Sequence, residues 1–518
     1  ISWTYVFMFI LFGAFLVKSG AGDFIIELAR CAAGRFVGGP GFVAVFSSGL
    51  MGSVSGSSVA NTVSTGVITI PLMRKAGFPA RFAAGVEAAA STGGQLMPPV
   101  MGAGAFIMAS YTQVSYLTII SVAALPALLY FLSVAMFVRI EAKRSHATRL
   151  EDAEAPTLKE VLKDGWHFLM PLVVLVAALV YGFTPTYAAG IAILSVIVAS
   201  WLSKHPMGPR DILDALVMGA RNITTTAILL ITVGLIVMVV STTGIGNTFS
   251  IMITDWAGGS LLITILLVAL ASLILGMGLP VTAAYIVLAT LSAPAIYNLI
   301  AQSQLLDLLV SGNLPEQAKS IFMLVAPDKM ELLNAPMDTA TAQQLLASVP
   351  DTFSSQLLEQ ALSPATLSIT LVAAHMVIFW LSQDSNVTPP VCLTAFAAAA
   401  IAGTPQMRTG FTAWKLAKGL YIVPLLFAYS PLITGNFTEM IQVFCFALFG
   451  VYAIVAGLEG YLEHPLNPVV RLLMFPIGLL MLWPHGQVLL DGAGLVIFVF
   501  AFVWSSRQGR RMATPAAA

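Results

Sequence analysis

Long apolar runs separated by short charged loops make up most of this chain. Crossing about 30 Å of hydrocarbon takes about 20 helical residues. The first run, 1–17, ends at Lys18, Ser19 and Gly20. A short amphipathic piece over 23–36 carries Asp23, Glu27, Arg30 and Arg35 on one side, which predicts a helix lying along the membrane interface. From 41 to 73, two half-length apolar runs flank a Gly/Ser-rich segment at 51–66. Each run is too short to span, so the pattern predicts a re-entrant helical hairpin. The next loop holds Arg74, Lys75 and Arg81 and is followed by an interrupted element over 82–109. A plain span over 115–138 then ends at Arg139, Lys143, Arg144 and Arg149.

A polar connector, 142–164, leads to two spans at 166–183 and 187–202 and a loop with Lys204, Arg210 and Arg221. The same order of elements then returns. A span over 224–241 ends at Thr243 and Gly244, matching Ser19 and Gly20, and an amphipathic piece reaches Trp256. Two further half-length runs flank LGMGLPVTAAY at 275–285, with Gly278 and Val281 in the places of Gly56 and Val59. A second interrupted element and a plain span at 416–433 complete the copy, apart from a polar interruption at 302–363. Three more apolar runs follow at 440–461, 469–483 and 488–504, with Trp483 and Trp504 placed as interfacial anchors and Arg507, Arg510 and Arg511 in the tail.

The predicted organisation is therefore a first repeat over 1–140 (hairpin 41–73, broken helix 82–109) and a connector with two linking helices over 141–222. A second repeat follows over 223–435 (hairpin 260–300, insertion 302–363, broken helix 365–403), then extra helices over 436–518. Cytoplasmic loops of membrane proteins are rich in Lys and Arg. With the 74–81 loop inside, the basic loops at 139–149, 204–221 and 408–418 also fall inside. The 302–363 segment, with seven acids, two lysines and no arginine, falls outside. The first hairpin then enters from the cytoplasm and the second from the opposite face, so the repeats are inverted.

The two interruptions read STGGQLMPPVMGAGAFIM at 91–108 and SNVTPPVCLTAFAAAAIAG at 385–403. A Pro-Pro pair removes two amide donors, and in hydrocarbon every backbone group must find a partner. Breaks at matching places in two halves mark the binding site of a secondary transporter.

Composition agrees: 58% of residues are hydrophobic and 9% charged, against about 45–50% and about 25% in soluble domains. This predicts an all-α polytopic membrane protein. The net charge is zero, which suggests no nucleic-acid partner. Cys31, Cys392 and Cys445 have no metal or disulfide spacing, the six histidines do not cluster, and no GxxxxGK[ST] phosphate loop occurs. Neither a Ser/His pair nor a carboxylate dyad lies in the spans, so an enzyme is not expected. A pore filter of the TVGYG kind is also missing. The chain starts without Met inside an apolar run, which reads as a fragment beginning in or near a span.

Half-helix C-terminal carbonyls with Ser/Thr hydroxyls are hard oxygen ligands suited to Na⁺, while half-helix N-termini favour a carboxylate. The Na⁺ candidates are Ser55, Gly56, Ser57, Asn61, Thr92, Gly93, Gly276, Gly278, Thr282, Asn386 and Thr388. The substrate candidates are Ser58, Ser91, Gly94, Gln95, Pro98, Asp384, Ser385 and Pro389. Thr62 belongs to the same first tip. Asp384, the one acid beside a break, could ligate Na⁺, carry a proton or cap a helix. Glu87 is expected near the cytoplasmic surface in a structural or loop-contact role, and His375 is expected to be packed or hydrogen-bonded. No arginine lies near either break, leaving carboxylate recognition to half-helix N-termini and hydroxyls, or to groups that the sequence alone does not place.

The run SGSSVANTVSTGVITIPLMRKAGFPARFAAGVEAAASTGGQLMPPVMGAGAFIMA at 55–109 resembles the large membrane subunit of tripartite ATP-independent periplasmic (TRAP) transporters, above all the fused permeases that work with TAXI-type binding proteins. GMGLPVTAAYIVLATLSAPAI and SQDSNVTPPVCLTAFAAAAIAGTPQMRTGFTAWKLAKGLY fit the same pattern, and the resemblance covers roughly 1–435. It implies an elevator-type, Na⁺-coupled importer of organic anions, commonly dicarboxylates, in the bacterial inner membrane. It also implies two partners, a periplasmic TAXI-type solute-binding protein and a small four-helix membrane subunit, fused or separate. The 302–363 interruption is larger than the family pattern and falls on the face where a binding protein docks. The competing expectation is a stand-alone ion-coupled carboxylate transporter that needs no binding protein.

Overall fold

A computed structural model describes residues 2–149, 157–203, 206–483 and 488–513. Lys204 and part of the polar connector lie outside the described residues, as do the side chains of Arg510 and Arg511. Among the described residues the chain is helical, with one isolated bridge between Tyr461 and Pro465.

The first part comprises α1 (Ser2–Lys18), α2 (Ala21–Ala33), α3 (Gly39–Ser55), α4 (Ser58–Lys75), α5 (Ala80–Gly94), α6 (Ala103–Thr112) and α7 (Tyr116–Arg144). Gly20, at a φ of 89°, stops α1, and α2 leaves at 72° to it. That left-handed conformation is open to Gly because it has no Cβ. The amphipathic piece is therefore a separate helix, with Phe24, Ile25, Ala29 and Ala33 buried. The α3–α4 hairpin turns at Gly56 and Ser57, and α5 and α6 are separated by the Pro98–Pro99 break.

Then follow α8 (Leu158–Gly165), α9 (Met170–Val180), α10 (Pro185–Ser200), α11 (Pro209–Thr243) and α12 (Ile245–Trp256). Gly244, at a φ of 70°, stops α11 as Gly20 stops α1. Ile228, Ile231, Leu235 and Met238 of α11 are all exposed, an apolar surface suited to hydrocarbon.

The second hairpin is α13 (Leu261–Gly276) and α14 (Val281–Val310). Its second arm is not half-length as expected, because the helix continues ten residues past the predicted end at 300. Ala301, Leu305 and Leu309 extend its apolar stripe and bury it in a small separate core with Ile321, Phe322 and Leu345. That core belongs to α15 (Glu316–Val325), α16 (Thr339–Ala347) and α17 (Asp351–Ala361), so the polar interruption is a helical subdomain built on the end of α14.

The second broken element is α18 (Pro364–Ser382), a 3₁₀ turn at Gln383–Asn386, the Pro389–Pro390 break, and α19 (Leu393–Ala402). Next come α20 (Gln406–Leu416) and α21 (Gly419–Tyr429), then α22 (Phe437–Glu459), α23 (Pro468–Leu482) and α24 (Val488–Ala513). The expected plain span at 416–433 is displaced: the apolar unit is Gln406–Tyr429, kinked at Ala417 and Lys418. Thr409, Gly410, Ala413 and Leu416 form a buried stripe at helical spacing along α5, which draws α20 into the bundle instead of leaving it as a loop.

Among the described residues, eight helices are long and apolar enough to cross a membrane, or nine with α1 and α2 counted as one bent span. The chain is an all-α polytopic membrane protein, and its main core runs through α1, α3, α5, α7, α14, α18 and α21.

Helix α3 crosses α5 at Gly52 and Gly94, where a Cβ on Gly94 would lie 2.5 Å from the Gly52 Cα. The Gly52 carbonyl carbon and the Ser48 carbonyl oxygen are also close, and all three neighbours are backbone and cannot give way. Gly94→Ala is expected to cost roughly 1–3 kcal/mol through overpacking, read as a lowered melting temperature of the purified chain in detergent.

Candidate functional site

The two tips and the two breaks meet inside the bundle. Gly56, in the left-handed region at a φ of 62°, ends α3 and leaves its carbonyl facing the first break. Gln95 Nε2 donates to that carbonyl at 3.1 Å, while Gln95 Oε1 accepts from Asn386 Nδ2 at 2.9 Å. Asn386 Oδ1 in turn accepts from the Ser58 hydroxyl at 3.0 Å, and Ser58 pairs with Thr394 at 2.9 Å. This chain of amides joins the first tip and first break to the second break, across 291 residues of sequence between Gln95 and Asn386.

The second tip meets the second break through Gly276. A Cβ there would lie 2.6 Å from Asp384 Oδ1 and 3.2 Å from the Ser385 Cα, so only Gly lets the tip approach so closely. Asp384 is 0% exposed and neither carboxylate oxygen makes a hydrogen bond, although the Ser385 amide lies nearby. Gln383 Nε2 and Thr388 Oγ1, in the same stretch, also lack hydrogen bonds, with the Tyr421 hydroxyl beside Thr388. Buried polar groups are normally paired, and an isolated buried charge is costly. A buried, unpaired carboxylate among such groups is therefore chemically suited to hold a cation.

Other candidates are engaged elsewhere. Ser57 caps α4, its oxygen accepting the Ala60 N–H at 3.4 Å, and the Ser55 hydroxyl turns back to the Ser57 carbonyl. Asn61 Nδ2 donates to the Ser48 carbonyl at 2.7 Å, while its Oδ1 and the Thr62 hydroxyl stay unpaired. Thr92 bonds back to the Ala88 carbonyl and Ser385 to the Ser382 carbonyl. Gly93 packs on Tyr130 and Gly94 on Gly52, so both serve close helix contact. Pro389 packs on Gly410 of α20, Pro98 is half-buried in its break, and Gly278 meets open space. Thr282 is half-buried on α14 and joins neither cluster through a hydrogen bond.

Ser91 points away from the breaks, toward Glu87, whose expected place near a surface is corrected here. Glu87 is 0% exposed and takes hydroxyls from Ser48 at 2.6 Å, Thr65 and Thr69 at 2.5 Å, and Ser91 at 3.1 Å. Its donors come from α3, α4 and α5, so it ties the first hairpin to the first broken helix. His375 is hydrogen-bonded, its Nδ1 lying 2.9 Å from the Tyr285 hydroxyl. Among the described residues no group of three or more His, Cys, Asp or Glu side chains forms a metal cluster.

Residues 2–433 match the family described as "Tripartite ATP-independent periplasmic transporter, DctM component". The chain belongs to this family. It is 24% identical over 289 residues to a putative TRAP transporter large permease protein of Haemophilus influenzae, covering 56% of this chain and 67% of that protein. To the C4-dicarboxylate TRAP transporter large permease DctM of Pseudomonas aeruginosa it is 31% identical, over 38% of this chain and 46% of that one. The corresponding Vibrio cholerae protein is 33% identical, over 39% and 44%. The chain thus spans about half the length of these two relatives. The Alcanivorax borkumensis YdaH transporter structure aligns over 82% of this chain and 84% of its own, at 14% identity and a TM-score of 0.43, too remote to carry an argument.

TRAP large permeases are inner-membrane transport proteins, not enzymes, and the helical spans place this TRAP chain in the same setting. Sequence reasoning missed three residues beside its second break. Trp414 Nε1 donates to the Tyr421 hydroxyl at 2.9 Å, and the Lys418 ammonium lies 3.2 Å from the centre of the Trp414 ring. The signal was present in the apolar unit 406–429, which places Lys418 midway along a span.

Proposed function

We propose that this chain is the permease subunit of a sodium-coupled importer of organic anions, dicarboxylate-like or related carboxylates, in the bacterial inner membrane. Its substrate is delivered by a periplasmic TAXI-type solute-binding protein, and a small four-helix membrane subunit stands beside it. The observation that carries this reading is Asp384, a fully buried carboxylate without a hydrogen bond, set against Gly276 where the second tip meets the second break. Na⁺ is a hard cation that oxygen donors alone can hold, and unwound backbone beside a carboxylate supplies such donors. The relatives support the substrate class, since their names specify C4-dicarboxylate, 2,3-diketo-L-gulonate and sialic acid, each an organic acid.

In this reading the two hairpins enter from opposite faces, as the distribution of basic loops implies, and an elevator-type movement of the tips and breaks exposes the site alternately to each side. The test is uptake of labelled succinate into proteoliposomes holding the chain, its small subunit and its binding protein. Uptake is expected to persist without ATP and to fall to background when choline replaces Na⁺. Uptake unchanged by that replacement would overturn the coupling. Uptake by the chain alone would favour the stand-alone transporter.

A further inference from the structure

The basic side chains where α7, α20 and α22 converge are matched to acids. Glu463 takes Arg139 and Lys143, while Glu459 takes Arg144 and Lys415. Lys418, three residues after Lys415, has no anionic partner among the described residues. It lies midway along the 406–429 unit, at the kink between α20 and α21, and is only partly exposed. Its ammonium is held over the Trp414 ring at 3.2 Å and lies 5.4 Å from the Tyr421 ring centre. An aromatic face attracts a cation without neutralising it. Ionisable groups at membrane depth are costly and mark substrate and ion pathways.

Tyr421 also stands near the opposite charge. Asp384 is within electrostatic reach of Tyr421, and Thr388 neighbours the same hydroxyl. A fully buried carboxylate and a half-buried ammonium thus stand near one tyrosine, and neither has an ion-pair partner among the described residues. Each is left for a mobile counter-ion.

We infer that Lys418 is the cation that receives a carboxylate of the transported anion, with the Tyr421 and Thr388 hydroxyls beside it and Asp384 on the cation side. This rests on reading the chain as an organic-anion permease, and it supplies one of the recognition groups that the sequence alone does not place. A charge-assisted hydrogen bond at such a site is worth roughly 10–100-fold in affinity.

The test is thermal stabilisation of the purified full chain in Na⁺ by acetate, succinate and gluconate, each compared with its uncharged amide. Wild type is expected to be stabilised by at least one carboxylate and by none of the amides. Lys418→Met should need roughly 10–100-fold more of that carboxylate for the same shift, and Lys418→Arg should retain most of the response. The ligand-free melting temperature of Lys418→Met should change little, since the lost contact with the Trp414 ring is offset by removal of a half-buried cation that has no anionic partner. Equal carboxylate responses in wild type and Lys418→Met would overturn the assignment while leaving the organic-anion reading intact. A wild type stabilised by no carboxylate would overturn both. A Lys418→Met chain that melts lower yet keeps its carboxylate response would make the lysine a packing element, which also overturns it.

Discussion

Asp384→Asn is expected to stabilise the sodium-free chain and to abolish its sodium-dependent uptake. The carboxylate is 0% exposed and makes no hydrogen bond, so its ionised form is desolvated with little beyond the nearby Ser385 amide to offset the cost. Asparagine keeps the shape beside Gly276 and removes the charge. Replacing poorly compensated buried charge with neutral groups of similar size commonly stabilises by roughly 1–4 kcal/mol. With Na⁺ present the order should reverse. A ligand at 100 times its Kd adds about 2.7 kcal/mol to the state that binds it, and the variant should gain little of this. The measurement is a pair of melting curves, with Na⁺ and with choline, for wild type and variant. A variant that melts lower in choline and keeps the full Na⁺ shift would make Asp384 a structural cap and remove the main support for sodium at this site.

Glu87→Leu is expected to be among the most destabilising single changes in the chain, with no direct effect on ligand contacts. The carboxylate collects hydroxyls from α3, α4 and α5 in a space closed to solvent. Leucine fills that space but leaves Thr69 and Ser91 without their acceptor, while Ser48 keeps the Thr65 hydroxyl at 3.0 Å. Thr65 retains the Asn61 carbonyl at 2.8 Å, so the loss falls short of four full penalties. An unsatisfied buried group costs about 1–3 kcal/mol, and the sum is roughly 3 kcal/mol or more. Glu87→Gln keeps an acceptor oxygen and should recover most of that. Melting temperatures of the two variants separate the outcomes. Equal melting of Glu87→Leu and wild type would show that the hydroxyls re-pair with their own helices and that the acid is dispensable to the hairpin.

Some of the site was legible because its chemistry is local. The Gly/Ser-rich stretch around Gly56, the Gly-Met-Gly-Leu-Pro stretch from Gly276 and the two Pro-Pro pairs are poor helix formers, so the tips and breaks could be placed from residue type alone. Which hydroxyl faces the site was not local. Ser91 and Gln95 lie one turn apart on the same element, yet one bonds Glu87 and the other bridges Gly56 to Asn386. Helical neighbours at that spacing share a face, and only the packed partners decide where each side chain ends. Lys418 was misplaced for a related reason. Charge counting grouped it with Arg408 as loop, whereas the buried stripe of α20 carries it inward.

The amino-acid sequence by itself determined that this chain lives in hydrocarbon, is built from helices, and breaks two of them at matching places. Those outcomes follow from the cost of exposing apolar surface to water and unpaired backbone to lipid, which each segment meets alone. The tertiary structure decided which groups would be left without partners. Asp384 stands without a hydrogen bond and Lys418 without an anionic partner, while Glu87, as buried as Asp384, is satisfied by three helices. Pairing at close range depends on angstrom-scale approach between segments hundreds of residues apart, and no segment carries that information on its own.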